Sequence, residues 1–167
     1  MNNDRIFTFE KIPSSVEELK SLSFFNQKDY ASVAVAAMIA FKVYATNKNL
    51  ALEMLNSIKG PQQLTTYDIS FLNERLRDKL YLADSYFQGA SVANGYTPDS
   101  PYTLAIKEGA YSHVEDGYVV VYLQSSGANS ARGIKLRLKP STGEWFLWGY
   151  SSILSGIRIP ATLNDWA

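Results

Sequence analysis

Apolar side chains in the first half of the chain follow helical spacing. Residues 29–45 are apolar nearly all round, with alanines small enough for close packing. A helix without a polar face belongs at the centre of a fold, so this segment predicts the central helix. The next helix follows Asn47, a good N-cap residue, and is predicted to end at Gly60-Pro61, because glycine and then proline are typical of a helix end.

Two more helices flank this pair. Ser14 or Ser15 is predicted to cap the first, because Glu17 or Glu18 stands three residues further on, as in a capping box. The other opens at Thr65 or Thr66. Its predicted buried stripe consists of Ile69, Leu72, Leu76 and Leu80.

Strand-like alternation replaces the helical spacing after residue 89. Residues 89–101 are rich in Gly, Pro, Ser and Asn and predict a loop. Strands are predicted over 102–107, 118–124, 134–139 and 144–150, with a short one over 6–9 before the first helix. Helices followed by strands predict one α+β domain over residues 1–167, with about four N-terminal helices packed on a C-terminal antiparallel β-meander.

Composition excludes several kinds of protein. The chain of 167 residues has no cysteine, which excludes disulfides, a cysteine nucleophile and thiolate zinc sites. The chain has 16 basic residues (lysine plus arginine) and 16 acidic residues (aspartate plus glutamate). It therefore lacks the overall positive electrostatic field that would favour nucleic-acid binding. Hydrophobic segments give no sign of a membrane protein, because the longest apolar run, 33–41, is too short to span a membrane.

The polar start of the chain, Met1 to Arg5, lacks a signal-peptide pattern. We therefore expect a cytoplasmic location.

Several short stretches carry a resemblance to a known family. They are Phe9–Pro13, Met54–Asn56 with Lys59–Pro61, Tyr96–Pro98 with Pro101–Thr103, Gln124–Ala128, Trp145–Trp148, and Ile157–Pro160 with Asp165–Ala167. The chain resembles, over nearly its whole length, a family of small bacterial proteins that carries only a domain-of-unknown-function label. The resemblance implies a stand-alone single-domain bacterial protein and supplies no activity.

The sequence offers no set of catalytic residues. Its ten glycines fall at neither the dinucleotide-binding nor the P-loop spacing. His113 is the only histidine, and its polar surroundings predict a solvated loop residue; the alternative is a catalytic histidine. We therefore predict no catalytic residue, no metal site and no cofactor.

Basic residues form a ladder on the strand predicted over 134–139. Lys135, Arg137 and Lys139 alternate with Ile134, Leu136 and Leu138, which assigns the cations to the face opposite the core. Arg132 stands just before them. One alternative is a groove for an anion or a nucleic-acid backbone. We expect a solvated face without nucleic-acid function, because three charges support only weak binding and no aromatics are interleaved on that strand.

Aromatic residues crowd the last predicted strand on both faces, at Trp145, Phe146, Trp148 and Tyr150. This pattern predicts a central strand covered on both sides. The alternative is an aromatic ligand cleft, rimmed by the small polar loop at 125–130. The candidate ligand-binding residues are Tyr96, Tyr102, Ser125, Ser126, Asn129, Arg132 and Trp148.

Two classes of function stay open. The first is a non-catalytic binding or protein-interaction domain, with an unknown protein or small-molecule partner and a homodimer as a further alternative. It is favoured because the sequence lacks the usual combinations of catalytic residues. The chain also has 11 tyrosines, and tyrosine and tryptophan are residue types that anchor interfaces. The second is a small enzyme or ligand-binding protein with a cone-shaped pocket between helices and sheet, by analogy with nuclear-transport-factor-like folds.

The absence of metal ligands is testable. One histidine and no cysteine leave too few good ligands for a transition metal, so tag-free protein should contain no stoichiometric metal. Elemental analysis measures this directly. A metal present at one equivalent per chain would contradict the prediction.

Overall fold

The computed structural model describes residues 4–167 and confirms the α+β fold. The first three residues of the polar N-terminal stretch, Met1, Asn2 and Asn3, lie outside the described residues. The elements, in chain order, are β1 (Arg5–Phe9), α1 (Val16–Lys20), α2 (Tyr30–Tyr44), α3 (Lys48–Lys59), α4 (Thr66–Leu76), α5 (Tyr81–Asp84), β2 (Tyr102–Ile106), β3 (Tyr118–Leu123), β4 (Arg132–Lys139) and β5 (Glu144–Gly149). Two short 3-10 helices, Ser151–Leu154 and Ala161–Leu163, follow β5.

Side-chain caps start the helices where the sequence predicts them. The Ser15 hydroxyl accepts a hydrogen bond from the Glu18 backbone N–H at the start of α1, and Asn47 caps α3 in the same way. Thr65 and Asp68 form a reciprocal capping box at α4. The Asp29 side chain accepts from the Ala31 backbone N–H and caps the central helix. These bonds satisfy backbone donors that have no partner inside a helix.

The predicted buried stripe of α4 is correct for Leu72 and Leu76, but Ile69 is only half-buried and Leu80 is exposed. The helix ends at Leu76, because Arg77 is extended and Asp78 has a positive φ of 59°. Leu80 therefore leaves the helical face that buries Leu72 and Leu76, and it is 56% exposed. The chain then forms the four-residue helix α5, which the sequence pattern did not predict.

The strands form two antiparallel sheets. β1 pairs with β2, and β3, β4 and β5 form the predicted meander in that order. A single antiparallel bridge between Lys107 and Tyr122 joins the two sheets, with N···O distances of 2.9 and 2.8 Å. The meander is thereby confirmed, but the central position predicted for the aromatic strand is wrong. β5 lies at the sheet edge, beside β4 only.

The edge position of β5 is compatible with its first aromatic side chain, Trp145, because neighbouring residues cover it. Trp145 packs against the core and contacts Tyr30 edge-on, with ring centroids 5.3 Å apart. Gln27 occupies the backbone edge of the strand at this residue. The Trp145 N–H donates to the Gln27 carbonyl oxygen at 2.8 Å, and the Gln27 side-chain amide donates to the Trp145 carbonyl.

The central helix packs against both sheets. Every residue of α2 except Tyr30 and Lys42 is buried. The helix packs against α3, α5 and strands β2 to β5. The buried inward side chains of the meander, which complete this core, are Val119, Val121, Leu123, Ile134, Leu136 and Leu147. Buried side chains thus fill the space between helices and meander, where a cone-shaped pocket would lie.

Replacement of Ile39 tests the central placement of α2. The side chain is fully buried, so Ile39→Asp leaves an unpaired carboxylate in the core and should unfold the protein. Ile39→Val is the matched control and should cost only about 1 kcal/mol. Thermal and urea denaturation measure both, and an Ile39→Asp protein that melts within a few degrees of wild type would contradict this placement.

Candidate functional site

The side chains of β3, β4 and β5 that point away from α2 form an open surface, here called the outer face. It consists of Tyr118, Val120 and Tyr122 from β3, Lys135, Arg137 and Lys139 from β4, and Phe146 and Trp148 from β5. The residues between them, such as Val119 and Leu136, are buried. The prediction that the basic ladder lies opposite the core is therefore confirmed.

Arg137 lies against two aromatic rings on the outer face. Its guanidinium carbon lies 4.6 Å from the Trp148 ring centroid and 5.7 Å from that of Tyr118. The two rings contact each other edge-on at 6.0 Å. Tyr118 is the register partner of Arg137 on β3, so strand pairing supplies aromatics that β4 itself lacks. Such stacking reduces the freedom of the arginine side chain and leaves its N–H groups available.

Lys135 differs from the other two cations of the ladder because it has an acidic partner. It forms a salt bridge with Glu115, and its ammonium lies 4.6 Å from the Tyr118 ring centroid. No salt bridge among residues 4–167 involves Arg137 or Lys139. Glu144 is the register partner of Lys139 but forms no salt bridge with it. The unpaired positive charge of the ladder therefore lies at the end of β4 that leads into the turn to β5.

A groove of about 240 Å³ lies at this end of the outer face. Its apolar lining comes from Pro61, Leu138, Pro140, Phe146 and Trp148. Three cations also line it: Lys59, Arg137 and Lys139. Lysine and arginine around aromatic side chains form a site that can bind an anion and a flat apolar group together.

The end of α3 forms one side of this groove and contacts the Phe146 ring. Gly60 ends the helix with a positive φ of 68°. A Cβ atom at this position would lie 2.6 Å from the Phe146 ring, so only glycine fits both the backbone angle and the contact. Gly60, identified from the sequence as a helix end, therefore also positions the turn beside the groove.

Lys59 is a groove residue that the sequence analysis missed. It is only 8% exposed, and its ammonium lies 5.9 Å from the Tyr150 ring centroid. Burial lowers the pKa of Lys59, and the charge of Asp68 acts in the opposite direction. Among the described residues it forms no salt bridge. Lysine is common in the last turn of a helix, where it interacts favourably with the helix dipole, so the sequence of α3 did not mark Lys59 as a binding residue. The one sequence signal nearby was Gly60, which indicated the end of the helix.

Five of the seven residues proposed from sequence lie elsewhere, around the C-terminal segment. The Tyr96 hydroxyl donates to the Arg158 carbonyl at 2.7 Å, and the Arg158 guanidinium donates to the Asn129 side chain and the Ser126 carbonyl. The Ser125 hydroxyl donates to that of Ser85 at 2.7 Å, and Arg132 donates to the Ser155 and Gly156 carbonyls. The side chains of Tyr96, Asn129 and Arg132 therefore hold residues 155–158, whereas the side chains of Ser125 and Ser126 bond to Ser85.

Tyr102 lies apart from both groups. It stacks on Phe9 with ring centroids 5.2 Å apart and contacts Phe87 edge-on. The ammonium of Lys42 lies 5.1 Å from the Tyr102 ring and pairs with Asp84. The seven residues therefore do not form one aromatic cleft, and Trp148 is the one that lines the groove.

His113 belongs to a small polar cluster on an exposed turn, as the sequence predicts for a loop residue. Its Nε2 atom hydrogen-bonds to one Glu108 oxygen, and Tyr30 donates to the other at 2.9 Å. Burial and the hydrogen bond to Glu108 raise the pKa of Tyr30 to about 12. The cluster ties the loop after β2 to the first turn of α2. Within residues 4–167, no group of three or more His, Asp or Glu side chains could hold a metal ion.

Comparison with known proteins identifies a family. Residues 11–161 match the family model described as Domain of unknown function (DUF6935). The chain belongs to this family. The match confirms the resemblance seen in the sequence, and the family description assigns no activity. No match to the chain was found among curated proteins or among solved structures.

The match covers the turn after α3, the ladder of β4 and the aromatics of β5, so the whole groove lies inside the DUF6935 region. It also covers Tyr96, the loop at 125–130 and Arg158. No helix in the described part of this chain combines the length and the apolar character needed to cross a membrane.

Gly127 tests the structural role of the residues around Arg158. A Cβ atom at Gly127 would lie 2.1 Å from the Tyr96 hydroxyl, so Gly127→Ala should displace the tyrosine and cost about 1–3 kcal/mol. Gly109→Ala is the matched control, because nothing lies within 4 Å of its Cβ position. Thermal melts give the stability change, and limited proteolysis reports release of residues 155–167. Equal behaviour of the two variants would contradict this role.

Proposed function

We propose that the protein is a non-catalytic binding domain that recognises an anionic partner through the groove on its outer face. The observation that carries the proposal is the stacked guanidinium of Arg137, which has no acidic partner among the described residues. A pre-oriented arginine without a carboxylate is suited to bind a carboxylate or phosphate from another molecule.

The distribution of charge supports an anionic partner. The whole chain has no net charge, so an attraction for anions must be local. Lys59, Arg137 and Lys139 supply it around one apolar groove. Lys135 contributes little, because Glu115 neutralises it. An anion entering the groove would replace solvent as the partner of Arg137 and Lys139, which are exposed, and would bring a negative charge close to the buried Lys59.

A binding role is favoured over the alternative of a small enzyme with a cone-shaped pocket. Buried side chains of α2 and of the meander pack together where such a pocket would lie. The groove is lined by cations, one glutamine and apolar residues, and no carboxylate or histidine lines it to act as a general base.

The proposal includes the sequence-based expectations of a single-domain bacterial protein in the cytoplasm. The anionic partner in the groove is a second copy of the chain if the protein forms a homodimer. An acidic group of one copy would then occupy the groove of the other. Analytical ultracentrifugation of wild type and Arg137→Gln separates a dimer formed in this way from binding of a different partner.

Titration with pyrophosphate tests recognition of anions in the groove. At low ionic strength, amide NMR shifts should concentrate at Arg137, Lys139 and Lys59. Because two of three cations are lost, Arg137→Gln combined with Lys139→Gln should weaken binding about tenfold or more. Lys135→Gln is the control from the same strand and should change little, since its charge is already paired. Shifts scattered over the surface, or equal effects of the two variants, would contradict the proposal.

A further inference from the structure

The apolar part of the groove narrows the kind of anion that fits. Its aromatic members, Phe146 and Trp148, point outward from the same edge strand, and Pro61 and Pro140 complete the apolar lining. A simple inorganic anion would leave these surfaces unused and facing solvent. A flat ring would cover them, because aromatic rings stack well on tryptophan and pack against proline.

The cations stand beside the same surfaces and not at a distance from them. The Arg137 guanidinium lies 4.6 Å from the Trp148 ring centroid, so a ring placed against Trp148 brings its own substituents next to the guanidinium. Lys59 reaches the groove from α3, and Lys139 reaches it from β4. One molecule can therefore contact the rings and the cations together.

The size of the groove limits the ligand. About 240 Å³ lies below the usual range of roughly 300–1,000 Å³ for pockets that hold drug-sized ligands. It suits one fused or substituted ring with one acidic group. Three unpaired cations also provide too small a charged surface for tight binding of a nucleic-acid backbone, since counterion release from about three phosphates gives weak, salt-dependent binding.

We infer that the groove binds a small planar aromatic acid, with its ring against Trp148 and Phe146 and its carboxylate or phosphate bound by Arg137, Lys139 and Lys59. This inference rests on the proposed function and names the ligand class of the same site. Arg137 supplies the paired N–H groups that a carboxylate or phosphate accepts. Burial lowers the pKa of Lys59, and a bound anion would favour its charged form.

Three probes separate the two features of such a ligand. 2-Naphthoate has the ring and the charge, 2-naphthamide has the ring alone, and cyclohexanecarboxylate has the charge alone. Binding is measured by calorimetry and by NMR shifts at the groove. We expect 2-naphthoate to bind at least tenfold more tightly than either of the other two, because only it contacts both the rings and the cations.

Two variants assign these features to residues. Arg137→Gln should weaken 2-naphthoate about tenfold and remove its advantage over 2-naphthamide. Trp148→Leu should remove the advantage over cyclohexanecarboxylate, whereas Trp148→Phe, which retains a ring, should restore most of it. Thermal melts of each variant exclude unfolding as the cause. Lys135→Gln is again the control, and it should leave all three affinities unchanged.

The outcomes distinguish this inference from the proposed function. Equal binding of cyclohexanecarboxylate and 2-naphthoate, both weakened by Arg137→Gln, would overturn the aromatic class and leave anion recognition standing. Absence of binding by pyrophosphate and by both carboxylates would overturn both. A further outcome is that a single-stranded oligonucleotide or an acidic peptide displaces 2-naphthoate at a concentration a hundredfold below that of 2-naphthoate. This result would overturn the assignment of a small ligand, because the partner would then be a macromolecule.

Discussion

The enclosure of α2 is the constraint on which the rest of the structure depends. Because this helix has no polar face, other elements must cover it on all sides, and every residue except Tyr30 and Lys42 is buried. α3 and α5 cover part of its surface, and strands β2 to β5 contact it as well. This arrangement commits one face of the meander to the core and leaves the other to solvent. The outer face with its groove is thus a consequence of how the helix is buried.

Sequence reasoning succeeded where the structure is determined locally. The caps Ser15, Asn47 and Thr65 fix helix starts through bonds that span three residues, and the alternation in β4 assigns Arg137 to the outer face. It failed for the position of β5, because aromatics on both faces of a strand do not reveal how many neighbours the strand has. Strand order depends on pairing between distant segments, which local patterns do not encode.

The candidate site was predictable only in part, for the same reason. Trp148 was among the proposed residues, but its contact with Arg137 and the contribution of Tyr118 depend on register across three strands. Tyr96 and Asn129 were proposed because tyrosine and small polar loop residues often bind ligands. Here the same groups satisfy Arg158 of the chain itself. The sequence of a polar loop does not distinguish a ligand from a neighbouring segment as its hydrogen-bond partner.

The pairing of Gln27 with Trp145 affects whether two molecules of this protein can pair through the edge of β5. An edge strand with free backbone groups is a template on which another chain can add a strand, and uncontrolled addition leads to aggregation. Gln27 uses both its main-chain oxygen and its side-chain amide on Trp145, so it occupies the edge at the most aromatic part of β5. Gln27, from the loop before α2, thus occupies both backbone groups of Trp145, so the strand of another chain cannot pair with β5 at this residue.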